Sequence, residues 1–169
     1  EAQALTGIKL DILGIDACEM SVLEAAYEFR NVSDLLVASQ ELVSSKGWAY
    51  DDLFTRLVKS PAMTPVELSR AMVSSFKNYY EGAAFTDQTI AALALSSLYS
   101  TDAASISTVA QAVNGMAQRM MHLMESPESR TAALKLLTDA RAAVQEYDPN
   151  ILPATYDDLV DLSRVLEGP

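Results

Sequence analysis

Residues 8 to 22, with the sequence IKLDILGIDACEMSV, constrain the fold of this chain more than any other stretch. They open with an apolar run of strand length, which consists of Ile8, Leu10, Ile12, Leu13 and Ile15. Such a dense run is typical of an interior strand that is covered on both faces. Helical spacing starts at Glu19, directly after Cys18, the only cysteine. This arrangement predicts a functional site, because ligands bind at the carboxyl ends of strands in open α/β sheets.

Asp16 and Cys18 lie two positions apart at the end of this predicted strand. Because side chains alternate along a strand, the two point to the same side, about 6–7 Å apart. This gap matches the reach of an arginine or lysine side chain whose backbone carbonyl lies against the sulfur. We therefore expect Asp16 to recognise a basic residue while Cys18 attacks the bond after it. The start of a helix favours the thiolate form of Cys18, whereas the carboxylates of Asp16 and Glu19 oppose it.

A second strand is predicted at 35–39, after a helix over roughly 19–30. The order strand, helix, strand favours parallel pairing of the two strands. Parallel pairing places the loop from Gln40 to Trp48 beside Cys18, because this loop leaves the carboxyl end of the second strand.

This loop and its ends supply four candidate substrate-binding residues: Ser39, Glu41, Trp48 and Tyr50. Ser39 and Glu41 offer acceptors to a substrate backbone or a basic side chain. The rings of Trp48 and Tyr50 suit the stem and the cation of arginine. Trp48 has an equally good alternative role, which is to cover the edge of the sheet.

The downstream sequence is mainly helical in its spacing, with predicted helices over 50–59, 65–81, 103–124, 126–147 and 155–166 and a turn at 148–153. Thr64, Asp102 and Thr155 are predicted caps, and Pro65 occupies a favoured first helical position. His122, the only histidine, lies in the third of these helices. We expect it to pack, and we expect a core or a chain interface to take up the neighbouring methionine stripe of Met116, Met120, Met121 and Met124.

Four short patterns resemble the clostripain family of cysteine peptidases, in the caspase-like clan. They are Asp-Ala-Cys at 16–18, Glu-x-Ala-Tyr-Glu at 24–28, Val-Ala-Ser at 37–39 and Gly-Trp-x-Tyr at 47–50. The similarity is specific over residues 8–60 and looser in the helical remainder. It also favours a strand near 89–95, where a high alanine content would equally suit a helix.

The resemblance implies an α/β fold with a caspase-like mixed sheet flanked by helices. It implies a cysteine endopeptidase that cleaves after arginine or lysine, with Cys18 as nucleophile. Many members of the family are cut into a light and a heavy chain that stay together non-covalently. The resemblance further favours a secreted or cell-envelope location and leaves a calcium requirement open.

The chain lacks a histidine in the position that a cysteine peptidase of this clan requires. The base precedes the nucleophile in sequence, and only 17 residues precede Cys18. We therefore interpret residues 1–169 as one domain, the heavy chain of a self-processed peptidase or a fragment cut from one. Residues 1–60 carry the nucleophile and the specificity loop, and residues 61–169 form the helical remainder. A companion light chain would supply the histidine and complete the sheet.

Composition limits the partners. A formal charge of -11 argues against nucleic acid and suits basic peptides. No apolar run reaches the roughly 18 residues that span a bilayer. The acidic pairs Asp51-Asp52 and Asp157-Asp158 are expected to be solvated, and no loop has the spacing of an EF-hand. No cofactor is predicted from the residues themselves.

Two other functions remain open from the sequence. One is a catalytically inactive, clostripain-like binding module in which Cys18 is a buried bystander. The other is a helical interaction domain whose likeness to the family is accidental. Alkylation of Cys18 by an arginine-bearing reagent would separate the peptidase from the inactive module.

Overall fold

The computed structural model describes residues 5–81, 89–100, 105–144, 146–147, 156–157 and 162. Contacts between residues divide the chain into two compact units, Glu1–Ala110 and Gln111–Pro169. The sequence predicts one domain with a change of character near residue 60. The boundary between the two units falls inside a helix, and the interpretation as one domain stays a prediction.

The strands and helices of the described residues are numbered in chain order. The strands are β1 (Leu10–Gly14), β2 (Ser33–Ala38), β3 (Ala91–Ala94), β4 (Glu146–Tyr147) and β5 (Tyr156–Asp157). The helices are α1 (Leu23–Phe29), α2 (Tyr50–Lys59), α3 (Pro65–Tyr80), α4 (Ile106–Leu123) and α5 (Pro127–Ala143). The first three strands belong to the first unit, whereas β4 and β5 form an antiparallel pair in the second.

The first unit is built on a mixed sheet with the strand order β1-β2-β3. Strand β1 runs parallel to β2, with Ile12 opposite Leu35 and Gly14 opposite Val37. Strand β3 runs antiparallel to β2. The predicted parallel pairing and the predicted strand near 89–95 are therefore confirmed, as is the mixed α/β fold with flanking helices.

Strand β2 is the centre of the first unit, because helices cover both of its faces. Leu36 and Ala38 point to one face, where they pack with Ala26 of α1 and with Leu95. Val37 points to the opposite face and packs with a cluster of aromatic side chains, Trp48, Phe76 and Tyr80. Alternation along the strand produces this division. A continuous apolar run can only be accommodated where both faces are dry.

The prediction that β1 is covered on both faces is confirmed only in part, because Ile12 packs in the cluster of Val37 and Leu13 packs in the cluster of Leu36, but the start of the segment is exposed. Ile8 is 65% exposed and Leu10 is 44% exposed, although Leu13 packs against the core. Among the described residues β1 has one neighbouring strand, β2, so its other edge is open. Density of apolar residues identified the strand, but burial depends on a second neighbour that the described residues do not provide.

The helix after Cys18 begins later than predicted, at Leu23 instead of Glu19. Residues 17–22 form a turn, so Cys18 is not at the N-terminus of a helix, and the argument from the helix dipole does not apply to it. By contrast, α2 has its predicted bounds, and α3 begins at the predicted Thr64 cap. A reciprocal capping box between Thr64 and Glu67 closes that end.

The later predictions are confirmed in part. Helix α5 begins after Ser126, as expected, but it ends at Ala143, and residues 146–147 form a strand. Residues 156–157 form a strand where a helix was predicted. The predicted cap Asp102 and the turn at 148–153 lie outside the described residues.

His122 does not pack in a core. Its side chain is 80% exposed, and its Nδ1 lies 3.0 Å from Oε2 of Glu125. Met121 is 69% exposed, and no residue of α4 is buried. None of the described helices is both long and apolar enough to cross a bilayer.

Candidate active site

The turn that follows β1 carries both Asp16 and Cys18. Backbone pairing continues just past the strand, since the N–H of Ile15 donates to the Val37 carbonyl at 2.9 Å. Glu19 then adopts a left-handed conformation with a φ of 57°, which is uncommon for a residue with a side chain. The strand itself ends at Gly14, before Asp16 and Cys18, so alternation along β1 does not by itself set the directions of these two side chains.

Two backbone hydrogen bonds tie this turn to the segment after β2. The N–H of Glu19 donates to the Glu41 carbonyl at 3.2 Å, and the N–H of Ser21 donates to the Ser39 carbonyl at 2.8 Å. The turn and the loop therefore lie side by side at the carboxyl edge of the two parallel strands. This is the position that the sequence predicted for the loop.

The Cys18 thiol is exposed at this edge. The backbone N–H of Val43 donates to its sulfur, with a nitrogen to sulfur distance of 3.2 Å. An N–H that points at a sulfur stabilises negative charge on it. The chain thus presents an exposed thiol whose sulfur accepts a hydrogen bond from a backbone N–H.

Asp16 contacts the far end of the same loop. Its Oδ2 accepts a hydrogen bond from the backbone N–H of Trp48 at 3.0 Å and another from the hydroxyl of Tyr50 at 2.9 Å. Gly47 lies close against this oxygen, and a Cβ on it would lie 2.6 Å from Oδ2. The backbone φ of +67° at position 47 also favours glycine. Asp16 and Cys18 are therefore brought against one loop, at Trp48 and at Val43.

Tyr50 is partly exposed and lies beside Asp16. Its ring stacks on Trp48, with a centroid distance of 6.4 Å, and on Phe54, with a centroid distance of 5.9 Å. Partial burial raises the pKa of the Tyr50 hydroxyl, and the Asp16 carboxylate raises it further. The hydroxyl therefore stays protonated and keeps its role as a donor to Asp16.

Trp48 is buried beneath the loop, with 8% of its surface exposed. Its ring lies over Gly14 of β1, where a Cβ would approach Cζ3 of Trp48 to 3.1 Å and Cε of Met72 to 2.9 Å. Of the two roles predicted for Trp48, the structure shows the ring covering the sheet. Trp48 contacts the site through its backbone N–H, which donates to Asp16.

Ser39 and Glu41 shape the start of the loop. Ser39 is fully buried, and its hydroxyl lies 2.9 Å from the Glu41 carbonyl and 3.0 Å from Oγ1 of Thr89. The backbone N–H of Glu41 donates to Oγ1 of Thr89 at 3.0 Å. The Ser39 hydroxyl is therefore inaccessible to a substrate here, because it is buried and already hydrogen-bonded within the protein. Glu41 is partly buried, and its role in substrate binding stays a prediction.

Three residues contribute to the site although nothing in the sequence distinguishes them from other residues of the same type. Val43 contributes a backbone N–H, which any residue except proline would supply. Tyr80 donates to the Gly47 carbonyl at 2.6 Å, and Thr89 bridges to the loop from the segment before β3. Only Gly47, in the Gly-Trp-x-Tyr pattern, could have been singled out from the sequence.

A calcium requirement stays a prediction, on which the acidic side chains of the described residues bear. Within them, no group of three or more acidic, histidine or cysteine side chains is placed to hold a metal ion. Oδ2 of Asp52 is occupied by Arg56 at 2.7 Å and by Ser75 at 2.5 Å. The side chains of the second acidic pair, Asp157-Asp158, lie outside the described part of the chain.

Comparison with known proteins identifies the family. The model of the clostripain family matches residues 2–168, nearly the whole chain. The chain belongs to the clostripain family. No protein with a curated description matches the chain.

Solved structures of clostripain-family proteins share the fold. A clostripain from Bacteroides thetaiotaomicron, in complex with the peptide inhibitor BTN-VLTK-AOMK, gives a TM-score of 0.58 at 17% identity and covers 95% of this chain and 59% of its own. An inactive zymogen C11 protease from Parabacteroides distasonis gives a TM-score of 0.54 at 20% identity; the match covers 96% of this chain and 39% of that protein. A secreted C11 cysteine protease from Bacteroides thetaiotaomicron gives a TM-score of 0.57 at 18% identity; the match covers 95% of this chain and 37% of that protein.

This chain therefore spans less than two thirds of each of these three proteins. At such identities the likeness shows the fold alone. The family resemblance carried by the short patterns in the sequence is confirmed by the family match.

Proposed function

We propose that this chain is the nucleophile-bearing part of a cysteine endopeptidase that cleaves peptide bonds after arginine or lysine. The observation that carries the proposal is the arrangement of Cys18 and Asp16. The exposed thiol and the exposed carboxylate contact one loop, through Val43 and Trp48, at the carboxyl edge of two parallel strands. Membership of the clostripain family supports the same chemistry.

The reaction would begin with transfer of the Cys18 thiol proton to a histidine and attack of the sulfur on the scissile carbonyl carbon. The new sulfur–carbon bond forms as the carbon–nitrogen bond breaks, and the amine leaves with a proton from a histidine. The resulting thioester is then hydrolysed by water, whose proton passes to the histidine and then to the sulfur. The Val43 N–H would stabilise the sulfur whenever it carries negative charge.

A companion segment would supply that histidine. His122 is the only histidine in the chain, and it lies exposed beside Glu125. The related structures are considerably longer than this chain, so sequence for a further segment exists in those proteins. The open edge of β1, with Ile8 and Leu10 exposed, is a surface on which such a segment could add a strand.

Preference for a basic residue rests on the Asp16 carboxylate and on the overall charge of -11. The peptide in the inhibitor complex of the related clostripain, VLTK, ends in lysine. By the same analogy we propose export from the cell, since one related protein is described as secreted.

The proposal is tested on the complete processed protein with a chloromethylketone that carries arginine. We expect a covalent adduct on Cys18, and its absence would favour the inactive binding module. Asp16→Asn should lower kcat/KM for arginine substrates about ten- to a hundredfold, the equivalent of a lost charge-assisted hydrogen bond. Asparagine still offers an oxygen to Trp48 and Tyr50, so the loop should stay in place. Asp51→Asn removes the same charge from α2 and serves as the matched control.

A further inference from the structure

The two oxygens of the Asp16 carboxylate have different surroundings. Oδ2 accepts hydrogen bonds from the Trp48 N–H at 3.0 Å and from the Tyr50 hydroxyl at 2.9 Å. Within the residues that the structure describes, Oδ1 accepts no hydrogen bond from the protein. One oxygen therefore serves the loop, and the other is available to a ligand at the exposed edge of the site.

The Tyr50 ring is itself held in place. It stacks on Trp48, with an interplanar angle of 30°, and on Phe54, with an interplanar angle of 20°. Tyr50 is also the first residue of α2, and its backbone N–H donates to the Trp48 carbonyl at 2.8 Å. Stacking fixes the ring plane, and the helix fixes the backbone position, so the hydroxyl is aimed at Asp16 before any ligand arrives.

We propose that Tyr50 is a positioning residue for substrate specificity, whose hydroxyl holds the Asp16 carboxylate with Oδ1 facing a cationic substrate side chain. The inference rests on the proposed function, because it requires that Asp16 recognises the basic residue of the substrate. Tyr50 acts through Asp16 and needs no contact with the substrate.

The size of the effect follows from the rotamers of aspartate. In Tyr50→Phe the Trp48 N–H still donates to Oδ2. A fully released carboxylate would sample about three staggered χ1 wells, of which one presents Oδ1 correctly, so the binding-competent fraction falls at most to about one third and the apparent affinity weakens at most about threefold. We therefore expect Tyr50→Phe to raise KM for arginine substrates about two- to tenfold, with the upper value applying if the hydrogen bond itself adds to binding.

The test compares peptide substrates that end in arginine with matched substrates that end in citrulline, a neutral isostere. Steady-state kcat and KM are measured for the complete processed protein and for Tyr50→Phe, Asp16→Asn and Tyr79→Phe. Tyr79→Phe is the matched control, since it removes a hydroxyl from a tyrosine of α3 that is 51% exposed. The rate of Cys18 alkylation by iodoacetamide, a small neutral reagent, reports on the thiol itself.

In Tyr50→Phe we expect a higher KM for arginine substrates, with kcat, the citrulline kinetics and the alkylation rate unchanged. Equal losses on arginine and citrulline substrates would overturn the inference, because they indicate general damage to the site. Unchanged arginine kinetics in Tyr50→Phe, with a lowered arginine preference in Asp16→Asn, would overturn the role of Tyr50 alone. An unchanged preference in Asp16→Asn would overturn the specificity assigned to Asp16, and the role of Tyr50 with it.

Discussion

Replacing Gly47 with alanine tests whether the Asp16 carboxylate determines the position of the loop. Gly47 has a φ of +67°, and an added Cβ would lie 2.6 Å from Oδ2 of Asp16. A left-handed conformation costs alanine about 1–2 kcal/mol, partly offset by about 0.4–1 kcal/mol from the less flexible unfolded chain. The carboxylate must also move and lose one or both of its hydrogen bonds to the loop. At about 0.5–1.5 kcal/mol each, these losses bring the total to about 1.5–4 kcal/mol.

Gly7→Ala is the matched control for this substitution. Gly7 has nearly the same φ, +68°, but an added Cβ would meet nothing within 4 Å. It therefore shares the backbone penalty and the effect on the unfolded chain, which together amount to about 1 kcal/mol. The difference between the two variants isolates the collision with Asp16.

Urea unfolding followed by tryptophan fluorescence measures both variants. Trp48 is the only tryptophan in the chain and is adjacent to Gly47, so its emission reports on the loop directly. Circular dichroism measured in parallel reports on the helices and separates local opening from global unfolding. Equal losses of unfolding free energy in Gly47→Ala and Gly7→Ala would refute the reasoning, because the contact with Asp16 would then carry no weight.

Two further predictions concern stability. Thr64→Ala should lower the unfolding free energy by about 1–2 kcal/mol in urea, because it removes the side-chain half of the capping box of α3; an unchanged midpoint would contradict this. Lys9 donates to Asp34 at 2.6 Å, and this hydrogen bond lowers the pKa of the Asp34 carboxyl below 3.8. The ion pair therefore stabilises the fold above pH 3.8, and its contribution is lost as the pH falls further. Lys9→Met should therefore flatten the acid limb of the unfolding free energy by about 1 kcal/mol or less, since the pair is partly exposed, and an unchanged acid limb would exclude the pair as its source.

Local sequence signals were sufficient where the structure depends on neighbouring residues. The Thr64 cap, the bounds of α2 and the strand that ends near Cys18 follow from spacing, capping and apolar patterns. The same signals placed Asp16, Cys18 and the Gly-Trp-x-Tyr loop at one edge of a parallel pair. They failed at the start of α1, where the left-handed Glu19 and the backbone bonds to the loop delay the helix to Leu23.

Burial could not be predicted with the same success, because it depends on elements that are distant in sequence. The apolar run of β1 resembles an interior strand, yet Leu10 is exposed because β1 has one neighbouring strand among the described residues. His122 and Met121 sit in an apolar pattern typical of a core, and both are exposed. Ser39, by contrast, is a polar residue that the fold buries completely.

The amino-acid sequence alone therefore determined the family and predicted that Asp16, Cys18 and the Gly-Trp-x-Tyr loop lie together at one edge of the sheet. Only the tertiary structure decided which hydrogen bonds connect these residues. Oδ2 of Asp16 accepts from the Trp48 N–H and the Tyr50 hydroxyl, and the Val43 N–H donates to the Cys18 sulfur. Those contacts join residues 25 to 34 positions apart. Such pairings depend on the loop conformation that parallel strands impose, which no local pattern in the sequence encodes.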